Sequence, residues 1–155
     1  MKFAQAILAF ATISGVLATS SKNKKDHDVQ TANFKFRGDH SGSYKLSVKA
    51  DGKEVETDND LVVKTIDSND YKADSLCTFK TPDGKTVKPV MHPNATDGTQ
   101  ELVFEHPTAI GSVSCEGMCV GKYGKCYDKD NQYIGPCCNG FCAATLCRPW
   151  DSTHE

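Results

Sequence analysis

CVGKYGKCYDKDNQYIGPCCNGFCAATLC, the stretch from Cys119 to Cys147, holds six of the eight cysteines of the chain in 29 residues. The gaps between successive cysteines run six, ten, zero, three and four residues. A segment this short, with so few aliphatic side chains, cannot bury enough apolar surface to outweigh its chain entropy. Covalent links must therefore stand in for a core.

A chain of 155 residues has room for one ordinary domain, or for a small domain with a stapled module. Seven of the eight cysteines lie beyond residue 114, which favours the second arrangement. With 18 basic and 20 acidic residues and no dense basic block, nothing points to nucleic-acid binding. The N-terminus reads as a secretory signal over residues 1–18: Lys2, an apolar run from Phe3 through Ile13 to Leu17, then small residues, with cleavage after Ala18. That run is too short, and too interrupted by Ser and Thr, to span a bilayer, and no second hydrophobic segment follows, so no transmembrane segment is expected. Export carries the thiols into an oxidising compartment, where an even number of cysteines is read as disulfides. A zinc site is the rival use of cysteine. It is set aside because no pair of Cys-x2-Cys knuckles is present, His27, His40, His92 and His106 lie well before the cluster, and His154 stands alone in the tail. No metal and no cofactor are expected. Asn94-Ala95-Thr96 is an N-glycosylation sequon, and Pro93 before it suggests a surface turn.

Residues 19–31 are polar and without apolar periodicity, which predicts a disordered leader, or a propeptide cut at the dibasic Lys24-Lys25. From Asn33 the pattern changes to period two. Phe34 and Phe36 alternate with Lys35 and Arg37, and Tyr44, Leu46 and Val48 with Lys45, Ser47 and Lys49, as strands with one buried face require. Asp51-Gly52 follows as a hairpin signal. Further strands are expected over 61–66, 76–80, 86–90, 101–105 and 110–115, with turn-rich segments between them. The fold class is all-β, with a small β-sandwich over 32–116, a disulfide-rich module over 117–150 and a tail over 151–155. Cys77 shares a strand face with Phe79, and Cys115 shares one with Val113, so both fall on apolar faces. A bridge between them would close a loop of about 39 residues and contribute roughly 4 kcal/mol in the chain-entropy description.

Eight cysteines allow 105 pairings, and spacing alone does not choose among them. The series Cys119, Cys126, Cys137-Cys138, Cys142, Cys147 resembles an inhibitor cystine knot, or knottin, and the adjacent cysteines followed by Asn139-Gly140-Phe141-Cys142 are the most specific part of the match. It covers the last quarter of the chain. The resemblance implies Cys119 with Cys138, Cys126 with Cys142 and Cys137 with Cys147, leaving Cys77 and Cys115 for each other. A register in which Cys115 replaces Cys119 in the knot stays open. The ten-residue gap from Tyr127 to Pro136 is long for the small plant knottins. A hevein-like chitin-binding module, the nearest competitor, carries a longer serine- and aromatic-containing gap where this chain has Asn139-Gly140-Phe141. Over residues 30–116, Cys77-Thr78-Phe79 and the closing Pro107 to Cys115 phrase are similar to small secreted cysteine-rich proteins of filamentous fungi, many of them candidate effectors.

No catalytic motif stands out: there is no Gly-x-Ser-x-Gly, no His-Glu-x-x-His and no phosphate-cradling glycine loop, so a non-enzymatic protein is expected. Arg37-Gly38-Asp39 is an integrin-type tripeptide at an expected strand end, where Gly38 and Asp39 equally serve a turn. Tyr123, Tyr127, Tyr133, Phe141 and Trp150 lie in or just after the knot, where little interior exists to receive them. They either anchor an interface or dock the module on the β-domain, Trp150 being the first choice for docking. The segment from Cys119 to Arg148 has four basic and two acidic residues, a mild contrast with the rest of the chain. The expected function is that of a secreted, monomeric effector whose knot loops bind, or inhibit, a host extracellular or surface protein. The alternatives are an antimicrobial or toxin-like module acting on membranes or walls, and a protease or amylase inhibitor.

Overall fold

The computed structural model describes residues 28 to 150. The expected signal sequence, the dibasic Lys24-Lys25 and the expected tail over 151–155 lie outside the described residues. The strands are β1 (Thr31–Gly38), β2 (Ser43–Lys49), β3 (Asp51–Glu56), β4 (Val62–Asp67), β5 (Cys77–Lys80), β6 (Thr86–Val87), β7 (Val90–Asn94), β8 (Thr99–Ala109), β9 (Ser112–Glu116), β10 (Phe141–Ala143) and β11 (Leu146–Arg148), with one helical turn, α1 (Ala73–Leu76), before β5.

Alternation sets the faces. In β1, Ala32, Phe34 and Phe36 are buried while Asn33, Lys35 and Arg37 are exposed, and β8 buries Gln100, Leu102 and Phe104 in the same rhythm. Five strands form an antiparallel sheet in the order β2-β1-β4-β8-β7, and four form a second in the order β3-β9-β5-β6. The inner faces meet at Phe79 of β5, whose ring packs edge-on against Phe34 (5.9 Å) and Phe104 (6.2 Å) of the opposite sheet. Three aromatic rings in T-shaped contact give the sandwich its centre, each pair adding to the area that it buries. Phe36 stacks on Tyr44 at 4.6 Å and closes one end.

Several local expectations give way to tertiary packing. Asp51-Gly52 turns no hairpin: β3 leaves β2 and pairs with β9 in the other sheet, and Gly52, at φ 81°, sits where the β3–β9 register shifts. A glycine at positive φ in a bulge lets the chain bend from one sheet to the other, which a two-residue hairpin would prevent. The single strand expected over 86–90 is divided at Lys88-Pro89, so that β6 belongs to one sheet and β7 to the other. Pro93 lies inside β7 opposite Gln100, not in a turn; β7 is an edge strand, where a proline nitrogen can face outward. Leu76, expected in a strand, ends α1, and the strand expected from Ile110 begins at Ser112. Residues Gln30 and Thr31 belong to the fold and not to the leader: β1 starts at Thr31, and the Gln30 carbonyl accepts from Ala50 N at 2.8 Å.

The four disulfides are Cys77–Cys115, Cys119–Cys138, Cys126–Cys142 and Cys137–Cys147. The first joins directly opposed residues of neighbouring strands β5 and β9, so it staples one sheet and does not cross the core. The other three link the first, second and third cysteines of the terminal cluster to the fourth, fifth and sixth. Around them β10 and β11 make a small hairpin, and a bridge between Lys125 and Leu146 lays the preceding segment beside it.

Candidate functional site

The cysteine-rich region is not a bead on a tether. Cys119 and Cys138 are part of the same buried cluster as Phe34, Phe79 and Val113, whereas Cys126, Cys137 and Cys147 form a second small cluster with Val120 and Tyr127 packed on it. One of its three disulfides is thus shared with the sandwich core. The Gln30 side chain donates to the Cys119 carbonyl at 2.9 Å and accepts from Cys119 N at 2.8 Å. Buried Gln100 donates from Nε2 to the carbonyls of Ser68 (2.9 Å) and Cys138 (2.7 Å), and its Oε1 accepts from Trp150 Nε1 at 3.2 Å. Asn139 Nδ2 donates to the Gly98 carbonyl at 3.0 Å, and the Tyr71 hydroxyl donates to the Gly117 carbonyl at 2.9 Å. Buried backbone carbonyls at a joint between irregular segments need such partners, because each one left alone costs free energy. Burial, and then the Glu116 carboxylate, pushes the Tyr71 phenol above its usual range.

The five aromatic candidates divide. Tyr123 and Tyr133 stand 55% and 57% exposed, and Phe141 is exposed as well. Tyr127 is half-buried on the disulfide cluster and meets Tyr133 edge-on at 5.3 Å, so it supports Tyr133 from beneath. Trp150 is half-buried, packs against Phe141 at 5.6 Å and hydrogen-bonds Gln100, so it docks the module. Ile134 and Met118 are further exposed apolar side chains of the same region. Met118 had no sequence signal beyond its place before Cys119.

The backbone that presents these groups is held closely. Tyr123 N donates to the Cys147 carbonyl at 2.8 Å, Cys147 N to Gly124 at 2.9 Å, and Ile134 N to Cys126 at 2.8 Å. Asp128 Oδ1 accepts from the backbone of Asp130 and Gln132, both at 2.8 Å, and closes the Tyr127–Tyr133 loop. The Lys122 ammonium lies 5.3 Å from the centre of the Tyr123 ring.

Other candidates are occupied structurally. Arg37 donates to Asp67 (2.6 Å) and Glu101 (2.8 Å), and the Gly38-Asp39 turn follows it, so the Arg37-Gly38-Asp39 guanidinium is engaged within the sheet. The sulfurs of Cys126, Cys137 and Cys147 lie within 4.8 Å of one another, but all are disulfide-bonded. Asn94 is exposed as the last residue of β7. Among the described residues no helix is long and apolar enough to cross a membrane.

Gln30 and Gln100, which help fix the module in place, carry no motif in the sequence, and Asn139 is read there only as part of the Asn139-Gly140-Phe141-Cys142 match, not as a residue of the joint. Gln100 left a trace: it shares strand parity with Leu102 and Phe104, a polar residue at a core position. No protein-family model, no curated protein and no solved structure matches the chain.

Proposed function

We propose that this chain is a secreted, non-enzymatic binding protein of the effector type, which engages a host protein through the loops of its knottin-like module. The observation that carries this reading is the exposure of Tyr123 and Tyr133 on backbone fixed on both sides by disulfides and hydrogen bonds. Large apolar groups held outward on a stapled scaffold lose little conformational freedom on binding, so their burial against a partner is retained nearly in full as affinity. Four intramolecular disulfides in a chain of this size are typical of extracellular proteins. Exposed Lys122 and Lys125 beside Tyr123 favour a partner with an acidic rim, whereas Lys129 is paired with Asp130 at 3.3 Å.

The test is affinity capture from host extracellular fluid with the oxidised protein, followed by binding measurements on the captured partner. Tyr123→Ala with Tyr133→Ala, in protein shown to be folded by an unchanged melting curve, is expected to weaken binding about 30-fold or more. Undiminished capture by the double variant would refute the loop assignment.

A further inference from the structure

We propose that Asn94 carries an N-linked glycan whose inner sugars lie across the open edge of β7 and close that edge to strand addition. The sequon Asn94-Ala95-Thr96 stands at the junction of β7 and the turn to β8. Asn94 Oδ1 accepts from Thr96 N at 3.0 Å, an Asx turn that uses the oxygen and leaves Nδ2, the atom to which a glycan attaches, uncommitted within the turn. The residue is exposed, and the backbone beneath it is fixed by Gly98 N donating to the Asn94 carbonyl at 2.9 Å. Glycosyl transfer forms the bond between Nδ2 and the first sugar's anomeric carbon, releases the lipid diphosphate carrier and loses one amide proton.

The edge gives the modification a purpose. An exposed edge strand offers unpaired backbone groups to another chain, and proteins commonly guard such edges with lysines or prolines. At the far edge of the five-stranded sheet, β2 carries exposed Lys45 and Lys49. The β7 edge, Val90-Met91-His92-Pro93-Asn94, carries no lysine, aspartate or glutamate, and its Val90 is 59% exposed. Pro93 removes one outward donor, but the strand is otherwise unguarded.

Beside Asn94 the outer sheet face holds a polar cleft of about 690 Å³. Its walls include Arg37, Asp67, Glu101 and His92, from four neighbouring strands, with Asp67, Glu101 and His92 paired in register. Arg37 is paired there with Asp67 and Glu101, so the cleft offers sugars a fixed polar wall, and it begins where the glycan would be attached.

The experiment uses the full chain behind a host secretion signal in a eukaryotic host, so that the result does not depend on residues 1 to 18. Intact mass before and after N-glycosidase treatment is expected to show one glycan, absent from both Asn94→Gln and Thr96→Ala. Sedimentation of the glycosylated and enzymatically deglycosylated protein is then compared over a concentration series. The glycoform is expected to stay monomeric while the deglycosylated protein associates, and Val90→Lys is expected to restore the monomer without sugar. Secreted, disulfide-complete protein with bare Asn94 would overturn the site. Deglycosylated protein as monomeric as the glycoform would overturn the shielding of the edge. Neither result bears on Tyr123 and Tyr133, so failure here is distinguishable from failure of the binding reading.

Discussion

Gln30 pairs with Cys119 as one strand residue pairs with another: its side-chain amide donates to the Cys119 carbonyl and accepts from the Cys119 amide, at 2.9 and 2.8 Å. A residue just before β1 thereby completes the backbone hydrogen bonding of the first cysteine of the terminal cluster, 89 positions away. Gln100 donates to the carbonyl of Cys138, the disulfide partner of Cys119, while the Cys138 amide donates to the Val120 carbonyl, so each end of that bridge has a glutamine on its carbonyl.

Removing these amides should loosen the joint without breaking a covalent bond. Gln100→Leu leaves two carbonyls and the Trp150 indole N–H without their partner, and is expected to lower unfolding stability by about 2–4 kcal/mol. Gln30→Ala should cost about 1–2 kcal/mol. Urea denaturation measures both, and hydrogen exchange at the Cys119 amide should quicken in Gln30→Ala.

The Cys77–Cys115 bridge closes a separation of 38 residues inside one sheet. Replacing both cysteines by Ala is expected to cost about 4 kcal/mol, because the unfolded chain regains the freedom that the loop denied it. The other three disulfides should still form, which mass mapping of the oxidised variant would show.

The β10–β11 hairpin turns through Ala144 and Thr145, at φ 48° and 66°. This two-residue turn with both φ positive is one that Asn-Gly adopts readily and a β-branched residue resists. Ala144→Asn with Thr145→Gly is expected to raise stability by about 1–2 kcal/mol. An unchanged or lowered denaturation midpoint would contradict the assignment.

Stability should fall at both extremes of pH, through different groups. Hydrogen bonds from Lys80 and then Ser112 hold the Glu54 carboxyl below its usual range, so its contribution is present above the ordinary carboxylate value and lost as pH falls through the lowered one. Glu54→Gln should make the acid side of the stability curve shallower. Burial pushes the Tyr44 phenol up to about 12, against a smaller opposing effect of the Thr57 hydroxyl. Its contribution is therefore complete below the ordinary tyrosine value of about 10 and lost as pH rises toward 12. Tyr44→Phe should remove the latest tyrosinate absorbance transition and delay alkaline unfolding.

What the sequence showed depended on the range of the interaction. Strand alternation at Phe34 and Phe36, and the parity of Cys77 and Cys115, are local properties of a pleated backbone, and they lead to the sandwich and to a bridge that the structure contains. Asp51-Gly52 misled because a hairpin turn and a bulge at a sheet change draw on the same glycine freedom; only the partner strand, β9, distinguishes them. Pro93 misled for a similar reason: an edge strand accepts the proline that an inner one refuses, and edge position is not a local property.

For the candidate site, the five aromatic residues could be gathered from their density among cysteines and Trp150 singled out for docking, but Tyr127 could not be told from the exposed Tyr123 and Tyr133. Exposure of Tyr123 and Tyr133 and the docking of Trp150 follow from where the sandwich meets the module. That meeting rests on Gln30, Gln100 and Asn139, ordinary amides whose partners are backbone groups about 40 to 90 residues away.

By itself, then, the sequence determined the all-β class and the division between alternating strands and a stapled terminus, because periodicity and cysteine density are properties of the chain read in order; the pairing of the six terminal cysteines came only from their resemblance to a cystine knot. The tertiary structure alone decided the strand order, the sharing of the Cys119–Cys138 bridge with the main core, and which aromatic rings face solvent. Those depend on which backbone groups and surfaces come to lie opposite one another, and that is settled only when burial and hydrogen bonding are satisfied across the whole molecule at once.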